Sequence, residues 1–278
     1  GAYVGALWAS GMSADEMIHL AAEMRDKDSF KKLADPAIPP IKGLFYGHKL
    51  KDHLEKAIGN PKIEELDRKF IAIAANLENY QRVVFNSGCL LEAVHASCAM
   101  PGIIVPVEVN GIRCVDGGVV DPVPVSVLKK YTDVDYIIAV STTPTLDDLD
   151  SDEAVEAVVL ANEQDDSDSA SAWIKSKISS LGKKYNPVAK GNMLDTLRRS
   201  LKAAQIRIAH DACKKADVAI FPVCMNSAWN EYERYEYFIS LGAKEALGAL
   251  EQIKELTKPI ADQSFAREHE ARSEEPQA

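Results

Sequence analysis

No C-x-x-C pair occurs among the five cysteines of this 278-residue chain, which stand at 89, 98, 114, 213 and 224. Their odd number and wide spacing argue for reduced thiols over a disulfide frame or a zinc site. H-E-x-x-H is missing too, and six histidines scattered at 19, 48, 53, 95, 210 and 269 hold no paired spacing for a metal. Neither a metal nor an organic cofactor is implied. No apolar run approaches the roughly eighteen residues that a membrane-crossing helix requires. No charged-then-apolar leader opens the sequence, so nothing marks the chain for secretion, and the expected setting is cytoplasmic. Clustered lysine and arginine over a broad surface are not expected in a chain of net charge −10, which removes nucleic acid from the expected partners.

What is present is globular composition, 46% apolar and 27% charged residues, long enough for one large α/β domain or two small ones. Charge is unevenly spread. Residues 147–168 hold ten acidic side chains and no basic one, whereas 175–207 hold nine basic residues against Asp195 alone. A solvated loop followed by an exposed basic helix face accounts for this. A sharper alternative is a basic amphipathic segment resting Trp173, Ile174, Ile178 and Leu181 on an anionic lipid surface, a peripheral membrane contact. The region 145–205 lapses from sheet logic and reads as an insertion or lid. The charged tail at 259–278 is expected to be disordered, leaving 1–258 as the folded domain.

Gly11 stops a first helix, and Ser13 with Glu16 forms a capping box for the next. A helix is expected near 48–58, another from Leu90 to Ser97, and a closing amphipathic helix carrying Ile239, Ala243, Leu247, Leu250 and Ile253. Strands are expected at Phe70–Ala75, Arg82–Phe85, Ile112–Val115, Tyr136–Val140 and Val218–Phe221. Apolar strands without alternation, separated by helices, predict an α/β fold: a mostly parallel central sheet with helices on both faces.

The chemistry concentrates at Asp116-Gly117-Gly118, followed by Val119-Val120-Asp121-Pro122-Val123-Pro124. Strand 112–115 carries the chain to a carboxylate mounted on a glycine turn. Two residues without a Cβ allow other backbone to approach it, and Pro122 and Pro124 stiffen the chain beyond the turn. Such an acid can act as a base if a nucleophile is near. Gly1-Ala2-Tyr3-Val4-Gly5-Ala6-Leu7 reads as a helix opening at glycine, the way a G-x-S-x-G nucleophile elbow ends; Gly1 would be the closing glycine and the serine would lie two positions before it.

That run, together with Ala96-Ser97-Cys98-Ala99-Met100-Pro101-Gly102 and the Asp116-Gly117-Gly118 turn with Pro122 and Pro124, resembles the patatin-like phospholipase family, especially its bacterial single-domain members. The resemblance covers residues 1–143 well and 210–255 loosely. It implies a serine acyl hydrolase acting on a lipid ester through a Ser–Asp dyad, with Asp116 as general base and the serine and oxyanion loop both before Gly1. It implies also that the 278 residues alone are inactive and, lacking sheet strands, poorly soluble. Where this chain has Asp121 the family often has asparagine; a second carboxylate there either raises the pKa of Asp116 or faces solvent.

Other constellations are weaker. Ser97 lacks the flanking glycines of an elbow and reads as a helix end. S-x-x-K occurs at Ser29, Ser126 and Ser180 without S-D-N or K-T-G and carries nothing. His210 follows Asp116, so a conventional Ser–Asp–His triad is conceivable, although its helical surroundings argue against it. A non-catalytic lipid-binding domain, with Asp116 only capping a turn, is the other alternative. Oligomeric state has no signal in the sequence.

Overall fold

Two short connections decide the sheet. β1 (Ala72–Asn76) and β2 (Arg82–Phe85) are joined by five residues, with Tyr80 at φ 63°, and β3 (Val107–Val109) and β4 (Ile112–Asp116) by Asn110-Gly111, at φ 52° and 78°. Neither can span the crossover that parallel neighbours need, and Asn-Gly is the preferred pair for a two-residue hairpin turn. The computed structural model, which describes residues 1–26, 30–149, 193–224 and 231–258, accordingly has a four-stranded sheet in the order β2-β1-β4-β3, antiparallel throughout. The α/β class holds. The expectation of a mostly parallel sheet is corrected: among the described strands only β5 (Ile138–Val140) and β6 (Val218–Ile220) pair in parallel, as a separate two-stranded sheet.

Helices build the core on this sheet. α1 (Ala2–Ala9) ends at Gly11, whose φ of 89° a side chain would disfavour, and α2 (Ala14–Ala22) starts on the full Ser13/Glu16 capping box. A single turn, α3 (Phe30–Leu33), precedes the 35–47 loop, and α4 (His48–Ile58) comes after it. α5 (Leu90–Ser97) connects β2 to β3 and lies across β1, with α1 and α4 stacked on it. Ala6, Leu7, Leu54, Ala72, Leu90, Leu91 and Val94 form the resulting apolar cluster. β1 is buried on both faces, so its residues show no alternation even though its neighbours run antiparallel.

α6 (Val125–Tyr131) follows the Asp116 turn, and a short α7 (Leu146–Leu149) follows β5. The long α8 (Met193–Cys213) packs against α6 and the turn at Gly117–Val119, burying Ile206, Ala209 and Cys213. The predicted closing helix is two, α9 (Tyr235–Gly248) and α10 (Leu250–Leu256), and neither buries a residue fully; Leu247 is 68% exposed. Most of the region 145–205, the stretch at 173–181 and the 259–278 tail, for which an insertion or lid, a lipid contact and disorder are the expectations, lie outside the described residues. No helix among the described residues is long and apolar enough to cross a membrane.

Candidate active site

Asp116 is the last residue of β4, opposite Ala74 of β1. Its amide donates to Ala99 O at 2.8 Å, and its own Oδ1 accepts the Gly118 amide at 2.7 Å. One hydrogen bond thus comes from the segment after α5 and the other from the glycine turn, which fixes both backbone and carboxylate. A 3₁₀ turn at Gly117–Val119 comes next, closed by the amides of Val120 and Asp121 on Gly117 O.

The two glycines are needed for space, and for different reasons. A Cβ on Gly117 would stand 2.1 Å from Ile73 O, the backbone of the central strand. A Cβ on Gly118 would meet the Asp116 carboxylate at 3.0 Å and the Gln205 amide nitrogen at 3.2 Å. The first glycine lets the turn lie against β1; the second lets the acid fold back over its own turn.

Partial burial raises the Asp116 carboxyl above its ordinary range, while the Gly118 amide and the positive amino terminus of Gly1 pull it down by less. Ala2 and Tyr3 of α1 pack against the same apolar cluster as Cys98, and the Asp116 amide bonds Ala99 O, so the chain leading from α5 to Asp116 runs alongside α1. Cys98 shares the neighbourhood. Burial pushes its thiol up to about 11, the Asp116 charge adds to this, and the Gly1 terminus and the Tyr3 amide oppose it. A thiol held neutral in this way is a poor nucleophile at physiological pH. Tyr232, raised chiefly by burial and next by Cys98, borders the same region.

Gly1 itself is exposed, and a Cβ there would meet nothing within 4 Å. It opens α1 through its carbonyl, which accepts the Gly5 amide at 2.8 Å. Ser97 ends α5, as its sequence context suggests. His210 sits inside α8, and among the described residues no histidine hydrogen-bonds to Asp116. No group of three potential metal ligands forms among the described residues.

Asp121 takes neither course expected of it. It is buried and ion-paired with Arg82, the first residue of β2, and the same guanidinium nitrogen donates to Ser126 Oγ of α6 at 3.1 Å. The pair ties the edge of the sheet to the segment after the glycine turn. Arg82 is 43% exposed while the Asp121 side chain is only 9% exposed, so removing the arginine strands a mostly buried carboxylate. Arg82→Ala is expected to lower stability by about 2 kcal/mol, after allowance for the solvent reaching the guanidinium. Urea unfolding checks it, and an unchanged midpoint would show the pair to be energetically idle.

Cys98, Gln205 and Arg82 are the parts of the site that sequence reasoning passes over. Arg82 is a cation opening an apolar strand, and that position is the one signal that could have flagged it. Gln205 precedes Ile206 on a helix whose turns are rich in exposed polar residues, and nothing in its spacing distinguishes it from a solvated one.

Known proteins resemble the N-terminal half of the chain. The family model of patatin-like phospholipases matches residues 1–129. NTE family proteins of Mycobacterium bovis and Mycobacterium tuberculosis are each 36% identical over 141 residues, covering 51% of this chain and 38% of their own. A lysophospholipase NTE1 of Meyerozyma guilliermondii is 26% identical over 141 residues, 50% of this chain and 10% of its own length. The chain thus spans well under half of the curated relatives it matches. The matched region contains the start of α1, the Ala99–Asp116 contact and the glycine turn. Over residues 1–129, just under half of its length, the chain is similar to the patatin-like phospholipases.

Proposed function

We propose that this chain is part of a serine acyl hydrolase acting on carboxylic esters of lipids, phospholipids or lysophospholipids. Asp116 is the general base, and the nucleophile is a serine hydroxyl two positions before Gly1, delivered at the start of α1. The observation that supports this reading is packing: α1 lies on α5, Ala2, Tyr3 and Cys98 pack against one apolar cluster, and the Asp116 amide bonds the next residue's carbonyl, Ala99 O, at 2.8 Å. A carboxylate whose proton affinity is raised by burial is a better base than an exposed aspartate.

In the reaction, Asp116 takes the serine proton as the hydroxyl oxygen attacks the ester carbonyl. The tetrahedral intermediate collapses to an acyl-serine and releases the alcohol, which receives the proton. Water, deprotonated by the same carboxylate, then frees the fatty acid. Backbone amides of a glycine-rich segment upstream of Gly1 would hold the oxyanion, as the family resemblance implies. His210 has no part in this scheme, and Cys98, with its proton held tightly, lines the site without attacking. The setting is cytoplasmic, with transient contact to the lipid surface that holds the substrate.

A fluorophosphonate probe tests the assignment. A protein containing this chain together with its upstream elbow should become labelled at that serine, and the 278 residues alone should not. Labelling or ester turnover by the 278-residue chain would overturn it. A residue other than serine two positions before Gly1 would instead favour the lipid-binding alternative.

A further inference from the structure

The 35–47 loop is tied down at both ends and open at its tip. At its base, Asp35 accepts the amides of Gly47 at 2.8 Å and His48 at 2.7 Å, and the Tyr46 amide donates to Asp35 O. Ala37 N donates to Leu44 O, and Leu44 N and Phe45 N both reach Ile103 O at 2.9 Å. Gly43 packs so closely on strand-like backbone that a Cβ would stand 2.6 Å from Val105 N. Between these anchors the tip carries Ile38-Pro39-Pro40-Ile41-Lys42, with Ile38 58% and Ile41 82% exposed. An isoleucine that exposed, on a loop so firmly held, gains nothing from the fold.

Charge says what the tip faces. In a chain of net charge −10, residues 36–51 contain Lys42, Lys49 and Lys51 and no acidic residue at all. Lys42 is exposed next to Ile41 in the chain, and Lys49, also exposed, donates its Nζ to Lys31 O at 3.4 Å. Two exposed isoleucines beside Lys42, in a stretch whose formal charges are all lysines, match a surface with anionic head groups over hydrocarbon. A protein partner would have no need of this combination, and a free phosphate would have no use for the isoleucines.

We propose that the 36–49 segment docks this protein on an anionic lipid bilayer, with Ile38 and Ile41 inserted and Lys42 and Lys49 against the head groups. The loop leans on residues 103–105, and Ile103 N bonds Met100 O, one residue after the Ala99 carbonyl that holds Asp116. The docking element and the proposed base are therefore braced by one continuous segment. Binding does not depend on the catalytic reading, because it is measured without turnover.

Flotation of the 278-residue chain through a density gradient with vesicles of equal phosphatidylglycerol and phosphatidylcholine tests it, because aggregated chain sinks while vesicle-bound chain rises. Binding should be several-fold stronger than to phosphatidylcholine alone and should weaken as salt rises. Ile41→Asp should lower the bound-to-free ratio about tenfold or more, and Lys42→Glu should weaken binding to the anionic vesicles while leaving phosphatidylcholine unchanged. Leu247→Asp, at a residue 68% exposed on α9, is the control and should bind as the parent does. Absence of flotation with the anionic vesicles, equal loss in the Leu247 control, or full binding by Ile41→Asp would overturn the proposal. Unchanged circular dichroism in each variant excludes unfolding, and Lys42→Glu serves if Ile41→Asp fails to fold.

Discussion

Asp116→Asn, made in a protein that includes the upstream elbow, is expected to lower ester turnover by roughly a hundred- to ten-thousandfold while leaving the fold intact. The amide oxygen of asparagine still accepts the Gly118 amide that Asp116 Oδ1 accepts now, so the glycine turn keeps its closure. What is lost is the ability to take a proton. The wild-type rate should fall on the acid side as the carboxylate is protonated, and burial places that limb above the ordinary aspartate value of 3.8. Replacing the Gly1 ammonium by a peptide bond removes an influence that lowers the pKa and moves the limb further up.

The same burial makes a second, opposite-signed expectation. For most native carboxylates the folded pKa is depressed, and stability is lost as pH falls. Asp116 is the reverse: its pKa is raised on folding, so between 3.8 and the raised value the folded state holds more protons than the unfolded one. The contribution of this group to stability is full below the unfolded pKa and is lost as pH rises through the folded pKa. Asp116→Asn, neutral at every pH, should therefore unfold at a higher temperature than the parent at pH 7, with the gain vanishing toward pH 3. Calorimetry at both pH values decides it. A variant that kept full turnover, or was less stable at neutral pH, would mean that the carboxylate is structural.

Local turns and helix ends are more legible in the sequence than strand direction. The glycine turn, the helix at 48–58, the helix ending at Ser97 and the capping box stand where their residues predict, because each is set by local steric or hydrogen-bonding demands. Strand direction is not local. The run at 70–75 lacks alternation because α5 covers one face of β1 while the Gly117 turn presses on Ile73 from another side. Burial on both faces mimics the pattern of a parallel sheet, whereas Asn110-Gly111 specifies a hairpin. Connection length is the better witness. The Arg82–Asp121 pair, 39 residues apart, is beyond any periodicity argument, and it changes Asp121 from a tuner of the base into an anchor of the chain between the turn and α6. The apolar face at 239–253 is legible as helix but not as an exposed one, since amphipathicity tells which side could be buried and not what is there to bury it.

Gly117→Ala should have the largest effect on stability, and its contrast with Gly118→Ala separates architecture from chemistry. Neither glycine has a positive φ, so alanine's backbone preferences are not the obstacle; the space is. At 117 the new methyl would lie 2.1 Å from Ile73 O, and backbone of the central strand cannot swing aside as a side chain can. β1 would have to part from the turn, straining its pairing with β4 at Ala74 and Asp116. Such overpacking should cost about 3 kcal/mol or more. At 118 the methyl meets only the ends of Asp116 and Gln205, both of which can rotate. Its stability cost should be about 1 kcal/mol, but the rotation takes the carboxylate off the amide that aims it. Gly118→Ala should therefore lose turnover out of proportion to its lost stability, and Gly117→Ala should lose the fold itself. Urea midpoints and ester hydrolysis measured on both variants would separate them; equal stability losses at the two positions would contradict the geometry of the turn.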